Sequence, residues 1–248
     1  MTSQGTVSAK DRLIVALDFD SGRDALELVR TLDGAATFFK VGYELFVSEG
    51  PAIVQELLDA GNRVFLDLKM NDVDETIIRS VRKVTQYGGV EFLTIYGTAA
   101  TVAAAVKGKG DSPLKLLQVT LLTSMGADDL EEMLLLGPDK RFQTVDEYVL
   151  WRAEEALSRG CHGLISSGEN VAMLRERFGP DPILVCPGIR PGGTGTNEHK
   201  RATTPGKAIG DGADYLVVGR PIRDAADPRT QAEEIVEEIE AALAAKSI

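Results

Sequence analysis

The stretch FLDLKMNDVDET, residues 65–76, sets a lysine among acidic residues at the end of an apolar run. Asp67 and Lys69 lie at the end of this run, and Asp72 follows shortly after it. Ionised side chains are costly to bury unless they are paired with opposite charges. Residues two positions apart on a strand project to the same face of the sheet. The spacing therefore predicts a paired carboxylate and ammonium at the end of a buried strand.

Other polar residues follow apolar runs in the same way. Asp18 ends the first predicted strand and Lys40 the second, while Thr123, Arg190 and Arg220 follow the fifth, seventh and eighth. Alternating lysines and carboxylates keep one another ionised, whereas adjacent carboxylates alone would force one of them to take up a proton. Taken singly, each of these residues is as well explained by a turn, a helix cap or a surface cation. Their coincidence at strand ends favours a shared functional site.

Short β-rich runs alternate with longer amphipathic runs, and this alternation must position those residues. Strands are predicted at residues 12–18, 37–42, 63–69, 91–97, 114–122, 163–167, 183–188 and 215–220. Helical patterns lie between most of them, and Gly61, Gly88 and Gly179 follow helical runs where C-terminal caps belong. Asp74 and Glu75 stand where a helix begins and suit its dipole, so they are assigned no chemistry.

Eight strand–helix units in a chain of 248 residues predict an α/β fold, namely a single (β/α)8 TIM barrel. An open doubly wound sheet is the alternative, but no G-x-G-x-x-G follows a strand near the N-terminus. We predict a flexible tail over residues 1–10 and one barrel domain over residues 11–248. The one long irregular stretch in this interpretation is residues 187–205, and a loop of that length is usually functional.

Bulk properties narrow the class of partner. The chain has 27 Lys+Arg and 38 Asp+Glu, a net charge of −11, which argues against nucleic acid as a partner. No apolar run approaches the roughly 20 residues of a membrane span, and the N-terminus lacks the apolar segment of a signal peptide. A cytoplasmic protein without a membrane partner is therefore expected. Cys161 and Cys186 form neither a metal-ligand spacing nor a disulfide framework.

The residues in D-x-K-x-x-D-x-x-x-T spacing carry a family resemblance. Asp67, Lys69, Asp72 and Thr76 resemble the signature of the orotidine 5'-phosphate decarboxylase family. VALD at 15–18, KVGYELF at 40–46, LTSM at 122–125, PGIRP at 187–191 and VVGRPI at 217–222 resemble further blocks of that family, in its order. The resemblance implies a (β/α)8 carboxy-lyase that converts orotidine 5'-phosphate to UMP and CO2 in pyrimidine biosynthesis. It also implies that no metal or cofactor takes part.

The resemblance implies a role for each matched residue. Lys69 would protonate C6 of the pyrimidine, and Asp67 would lie against the substrate carboxylate. Asp18 and Lys40 would bind the ribose, with Lys40 also part of the catalytic charge network. The base would be contacted by Thr123, and the phosphate would be held by Arg190, Arg220 and the backbone of Gly219. The family's dimers imply a homodimer in which Asp72 and Thr76 enter the partner's active site.

Several positions depart from the family pattern. Val73-Asp74-Glu75 replaces an Ile-Pro-x segment, Asn71 and Tyr96 stand where histidines are common, and His199 stands where a phosphate-contacting Gln is usual.

Two other functions remain open at this point. One is a metal-dependent sugar-phosphate decarboxylase, aldolase or epimerase on the same barrel. That chemistry needs acid or His ligands at several strand ends, whereas strand two offers Lys40 and the chain has only His162 and His199. The other is a nucleotide-binding sensor without catalysis, against which the intact Asp67 and Lys69 argue.

Overall fold

The computed structural model describes residues 7–192 and 203–246. Within them, eight parallel strands pair in sequence order, and the last strand pairs with the first to close a barrel. The strands are β1 Leu13–Ala16, β2 Phe38–Gly42, β3 Arg63–Met70, β4 Val90–Ile95, β5 Lys115–Val119, β6 Gly163–Ile165, β7 Ile183–Cys186 and β8 Tyr215–Val218. The predicted (β/α)8 TIM barrel is therefore confirmed, and the open doubly wound sheet is excluded.

Helices surround the barrel, and some strands are followed by two of them. The helices of the described residues are α1 Gly22–Leu32, α2 Tyr43–Glu49, α3 Pro51–Asp59, α4 Asp74–Thr85, α5 Ala99–Lys109, α6 Ala127–Glu132, α7 Val145–Ser158, α8 Gly168–Phe178, α9 Pro205–Asp211, α10 Arg220–Arg223 and α11 Pro228–Lys246. A short 3₁₀ helix, Lys10–Arg12, precedes β1. Asp74 and Glu75 do occupy the first turn of α4, as their dipole preference predicted.

The alternation of side chains along the strands divides the core into two parts. In β2, Phe39 and Val41 belong to the cluster packed under the helices, whereas Phe38 belongs to the cluster that fills the barrel. The interior cluster also contains Phe65 and Phe92, whose rings meet at a centroid distance of 5.9 Å. In β2, β3 and β4 the members of this cluster are Phe38, Phe65 and Phe92, so the apolar filling stops short of the carboxyl ends of these three strands. Polar side chains at the next inward positions are therefore held above a packed, water-excluding floor.

The helices cover the barrel with amphipathic faces. In α4, the buried residues are Ile77, Ile78, Val81 and Val84, a spacing that lines one side of a helix. Gly61, Gly88 and Gly179 follow the ends of α3, α4 and α8, as predicted for glycines at helix C-termini, and their φ values are positive at 79°, 74° and 70°.

Two parts of the chain differ from the simple alternation. The β5–α7 connection is a long stretch with little regular structure, containing only the short α6, and it was not predicted. Residues 7–10, placed in the tail by the sequence, contact the barrel: Ala9 is buried and Val7 packs against the interior cluster. The boundary between the tail (1–10) and the barrel domain (11–248) stays a prediction.

Across residues 7–192 and 203–246, no helix is both long enough and apolar enough to cross a membrane.

Candidate active site

A chain of alternating charges lies across the carboxyl ends of the first three strands. Lys40 Nζ donates to Asp18 Oδ1 at 2.9 Å and lies 3.7 Å from Asp67 Oδ2. Lys69 Nζ donates to the same Asp67 oxygen at 2.9 Å. The structure therefore brings together four of the predicted site residues, in the order Asp18, Lys40, Asp67 and Lys69. The carboxyl ends of barrel strands are where the active sites of this fold are built.

Asp67 is the centre of this network. Burial by itself raises the pKa of its carboxyl, but Lys40, Lys69 and hydrogen bonds from Lys69 and Thr94 outweigh burial and lower the pKa below its usual value. The carboxylate is thus held ionised next to two ammonium groups. Asp18 and Lys69 are more open to solvent, with side-chain exposures of 46% and 28% against 14% for Asp67. The open side of the network is where a substrate can approach.

The backbone at Lys69 departs from regular strand geometry. The pairing of β3 with β4 shifts register between Leu66 and Met70, and Lys69 has a φ of 44°. A left-handed backbone at a residue other than glycine costs about 1 kcal/mol or more, and such strain concentrates at functional sites. The two side chains meet, as their spacing on one strand predicts. The alternation holds around them, since Phe65 faces the barrel interior whereas Leu66 and Leu68 pack under the helices.

Thr94, on β4, is a member of the network that the sequence analysis missed. Its side chain is fully buried, its Oγ1 donates to Asp67 Oδ1 at 2.8 Å, and it accepts from the backbone N–H of Lys69 at 2.8 Å. The signal for it was weak, because a threonine in a strand is an ordinary β-former. Its position two residues after the interior Phe92 places it on the inner face of the barrel.

Gly42 and Tyr43, which follow Lys40, shape the space around the lysines. A Cβ on Gly42 would lie 2.9 Å from Lys40 Nζ and 3.4 Å from Asp18 Oδ1, so the absence of a side chain there leaves room for that pair. The ring of Tyr43 lies 5.9 Å from Lys69 Nζ. Partial burial, and then the charge of Asp67, raise the pKa of the Tyr43 hydroxyl.

Residues predicted to hold a phosphate follow β7 and β8. Gly219 precedes the short α10, which begins at Arg220, and a Cβ on Gly219 would lie 3.5 Å from Asp18 Oδ2. Arg223, in the same helix, donates to the backbone oxygen of Asp18 at 2.8 Å and joins this segment to the end of β1. Gly219 is therefore next to the charge network, and Arg220 follows it in the chain.

Arg190 follows β7 at the start of the long loop. Its backbone N–H donates to Thr203 O at 2.8 Å, and its Nη1 donates to Ile189 O at 2.8 Å. This bridge brings the two described ends of the loop together. Residues 193–202, including His199, lie outside the described residues, so the prediction that His199 contacts phosphate stays a prediction.

Asp72 and Thr76 lie on the rim beyond the network. The Asp72 carboxylate is exposed and accepts from the backbone N–H of Val73 at 2.6 Å. Thr76 is half-buried in the first turn of α4. Among the contacts of the described residues, the Asp72 side chain bonds only within its own turn. The single chain thus does not bring Asp72 into the lysine cluster.

The remaining predicted and divergent positions lie around the site entrance. Thr123 is half-buried in the loop after β5. Tyr96, after β4, donates its hydroxyl to Met125 Sδ at 3.7 Å, and Arg152 lies over its ring at 5.9 Å. Tyr96, which departs from the family pattern, therefore links the end of β4 to the segment between β5 and α7. Asn71 is exposed.

A large cavity of about 970 Å³ opens at the opposite end of the barrel. It is lined by residues that precede or begin strands, among them Arg12, Glu91, His162, Asp214 and Tyr215. Judged by cavity size alone, the active site would lie at this end of the barrel, whereas the charge network lies at the other end. We favour the network, because in this fold the N-terminal face of the barrel serves stability and the carboxyl face carries the chemistry.

The side chains that could bind a metal ion were compared with the needs of a metal site. In the part of the chain that the structure describes, no three His, Cys, Asp or Glu side chains group closely enough to hold a metal ion. At the strand ends, Lys40 stands between Asp18 and Asp67, and Lys69 contacts Asp67 from its other side. An ammonium has no lone pair to offer a metal.

Comparison with known families gives a match over most of the chain. Residues 11–235 match the model of the family described as "Orotidine 5'-phosphate decarboxylase / HUMPS family". Two curated relatives are both named orotidine 5'-phosphate decarboxylase. The one from Bradyrhizobium diazoefficiens (strain USDA 110) is 45% identical over 240 residues, covering 96% of this chain and 98% of the relative. The one from Rhodopseudomonas palustris (strain HaA2) is 43% identical over 238 residues, covering 96% and 98%.

Solved structures agree in fold and in length. A crystal structure described as orotidine 5'-phosphate decarboxylase from Lactobacillus acidophilus superposes with a TM-score of 0.79 at 34% identity, covering 92% of this chain and 98% of that one. An uncharacterized conserved protein from Geobacillus kaustophilus superposes with a TM-score of 0.77 at 30% identity, covering 92% and 99%. The similarity thus spans the whole barrel rather than one motif.

Proposed function

The chain belongs to the orotidine 5'-phosphate decarboxylase / HUMPS family, and we propose that it converts orotidine 5'-phosphate to UMP and CO2 in pyrimidine biosynthesis. The observation that carries this proposal is the Asp18–Lys40–Asp67–Lys69 network at the carboxyl ends of β1–β3. Metal-dependent sugar-phosphate chemistry on the same barrel is the alternative. The lysines within the network, and relatives named as decarboxylases over nearly their full length, favour the nucleotide reaction.

In the proposed reaction, Lys69 supplies both charge and proton. The bond between C6 and the carboxylate carbon breaks, CO2 leaves, and the electron pair remains on C6. The Lys69 ammonium stabilises this developing negative charge and then donates one proton to C6, giving UMP. A proton from solvent restores the ammonium. Lys69 is suited to this role because Asp67 holds its Nζ at 2.9 Å on a buried floor, so little reorganisation is needed.

Asp67 is proposed to destabilise the bound substrate, and Lys40 to position it. The ionised Asp67 lies against the substrate carboxylate and disfavours it more than the transition state, in which that charge has moved away. Lys40 contacts both Asp18 and Asp67 and helps to keep Asp67 ionised, while Asp18 and Lys40 hold the ribose hydroxyls. Thr123 contacts the base. All of these roles are part of the proposal.

The phosphate does not react, so its binding energy is available to hold the reacting end in place. Arg190, Arg220 and the Gly219 backbone, with His199, are proposed to bind it. Arginines suit this task because the guanidinium group can bind phosphate oxygens in a bidentate manner.

We further propose that the active enzyme is a homodimer in which Asp72 and Thr76 serve the partner's site. Support comes from the rim position of Asp72 and from exposed apolar residues on the elements after β2 and β3. Tyr43, Val47 and Val73 are 54%, 80% and 70% exposed, and such exposure near a site is typical of an interface. A cytoplasmic location and a reaction without a cofactor belong to the same proposal.

The experiment that tests the function is a decarboxylation assay on the purified protein. Orotidine 5'-phosphate is added with excess chelator, and the loss of its ultraviolet absorbance and the formation of UMP are followed. The proposal predicts turnover that chelator does not reduce. Activity on a sugar phosphate that is lost in chelator and restored by Mg²⁺ would support the metal-dependent alternative. Tight UMP binding without turnover would support a nucleotide sensor.

A further inference from the structure

We propose that Thr94 is a positioning residue for this reaction, holding the carboxylate of Asp67 and the backbone of Lys69 in fixed relative positions. The inference rests on the proposed function, because it concerns the same site. It goes beyond that function by assigning a role to a side chain outside the motif that carries the family resemblance. Thr94 lies on β4, whereas Asp67 and Lys69 both lie on β3.

The direction of each hydrogen bond at Thr94 follows from its partners. A backbone N–H can only donate, so Thr94 Oγ1 accepts from Lys69 N at 2.8 Å. An ionised carboxylate can only accept, so the Thr94 hydroxyl proton goes to Asp67 Oδ1, also at 2.8 Å. The hydroxyl is thus used as donor and acceptor at once. A fully buried hydroxyl with both partners satisfied is held in one orientation.

This arrangement gives the two oxygens of Asp67 different tasks. Oδ1 takes the Thr94 hydroxyl, while Oδ2 faces Lys69 at 2.9 Å and Lys40 at 3.7 Å. Without the hydroxyl, rotation of the carboxylate could exchange the two oxygens or move both towards the lysines. Thr94 therefore sets which oxygen faces the ammonium groups and where the substrate carboxylate meets charge.

The second bond fixes the irregular backbone at Lys69. The β3–β4 register shift between Leu66 and Met70 interrupts the regular pairing of the strands in this segment. The Thr94 side chain takes up the Lys69 N–H, at the residue with a φ of 44°. One hydroxyl thus connects the position of the Lys69 Cα to the position of the Asp67 carboxylate. The distance between proton donor and carboxylate is then set through Thr94 as well as by direct contact.

The experiment compares three variants of the full-length protein. Thr94→Val removes the hydroxyl at nearly constant shape, and Thr94→Ser keeps the hydroxyl and removes the methyl group. Thr120→Val is the matched control, because Thr120 is also buried but donates its hydroxyl to the backbone oxygen of Ile165. Steady-state decarboxylation is measured against pH, and the Asp67 carboxyl carbon is titrated by NMR in each protein.

We expect Thr94→Val to lower kcat about 10- to 100-fold, the usual effect of misplacing a reacting group. KM should change less than about threefold, because the phosphate residues are untouched. Removing a hydrogen bond to the carboxylate should raise the pKa of Asp67, so the acid limb of the kcat/KM profile moves to higher pH. Among the described residues, the charged or titratable groups that interact with Asp67 are Lys40 from β2, Lys69 from β3 and Tyr43 from α2, and Asp18 at the end of β1 reaches it through Lys40. All of them are unchanged in these variants. Thr94→Ser and Thr120→Val should stay close to wild type.

Three results would overturn the inference. They are a Thr94→Val enzyme with wild-type kcat and acid limb, a Thr94→Ser enzyme as impaired as Thr94→Val, or an Asp67 titration that Thr94→Val does not move. If Thr94→Val does not fold, Thr94→Ala takes its place, since it adds no atom and makes the same predictions. The NMR titration needs no turnover. An inactive wild type therefore contradicts the proposed function, whereas an unmoved Asp67 titration contradicts the role of Thr94.

Discussion

Gly42 lies beside the Lys40 ammonium, and we expect this contact, rather than the backbone conformation, to make the position sensitive to substitution. Its φ of −96° is open to any residue, but a Cβ would come within 2.9 Å of Lys40 Nζ. The end of a lysine side chain moves easily, so the fold can accommodate a methyl group at small cost. The ammonium cannot move without weakening its contacts with Asp18 and Asp67. A substitution at Gly42 should therefore change the activity more than the stability.

Gly42→Ala should therefore fold with a free energy of unfolding within about 1 kcal/mol of wild type and lose roughly 10-fold or more in kcat/KM. Urea denaturation and the decarboxylation assay measure the two quantities. Gly126→Ala is a suitable control, because nothing lies within 4 Å of a Cβ there and the backbone is extended. Equal activity of Gly42→Ala and wild type would show that Lys40 has no fixed position to lose.

Residue types at strand ends made much of this site predictable. Asp18, Lys40, Asp67 and Lys69 interrupt or end apolar runs, where an unpaired charge would be costly, so their pairing could be inferred. Thr94 could not be singled out, because its importance depends on the register of β4 against β3 and on the irregular pairing at Lys69. The side-chain hydrogen bond of Asp72 stays within its own turn, so the role predicted for it in a partner's site stays a prediction.

At the scale of elements, β3 could be predicted as a strand, but its irregular pairing with β4 could not. Burial of the apolar runs made the strands and their order predictable. The register shift between β3 and β4 depends on how two distant segments pair, and a single strand carries no signal for it. The long β5–α7 connection was missed for a related reason, because its apolar residues resemble a continued helix–strand alternation.

His162, which lies between β5 and β6, leads to a prediction about how the free energy of unfolding depends on pH. His162, just before β6, accepts the Leu116 N–H at Nδ1 (3.2 Å). Burial, and then Lys115 and Lys109, lower its pKa to about 4. In the unfolded chain a histidine titrates near about 6.5. Between these values the unfolded chain binds a proton that the folded chain does not. The free energy of unfolding should therefore fall as the pH drops through this window, and the loss should be absent above it.

A His162→Asn variant keeps an acceptor close to Nδ1 and does not titrate. Urea denaturation between pH 4 and 7.5 should show a steeper loss of stability towards low pH in wild type than in the variant. Contributions from the carboxylates and from His199 are common to both proteins and cancel in the difference. Parallel curves would mean that His162 is protonated in the folded protein at its ordinary pKa.

For the whole molecule, the proposed site needs two chains. Each site would take Lys69 from one protomer and Asp72 from its partner, so Lys69→Ala and Asp72→Asn homodimers should both be nearly inactive. Mixing them after subunit exchange produces heterodimers with one intact and one doubly altered site. Random pairing should restore about a quarter of wild-type activity.

The control mixes Lys69→Ala with a chain carrying both substitutions, a combination that can form no intact site. Activity should then stay at the level of the parents. If the first mixture also remains inactive after exchange has been demonstrated, Asp72 serves its own chain or only its own turn, and the homodimer loses its catalytic role.

The central claim is that Lys69 donates the proton in an Asp–Lys network. The kcat of the Lys69→Ala enzyme tests this claim most directly. Lys69→Ala and wild type are compared in the absorbance assay, with UMP binding measured by calorimetry and Lys83→Ala, an exposed α4 lysine, as control. The account predicts that Lys69→Ala folds, binds UMP and loses at least about 10²–10⁴-fold in kcat, while Lys83→Ala behaves as wild type. A Lys69→Ala enzyme that retains a tenth or more of the wild-type kcat would contradict it.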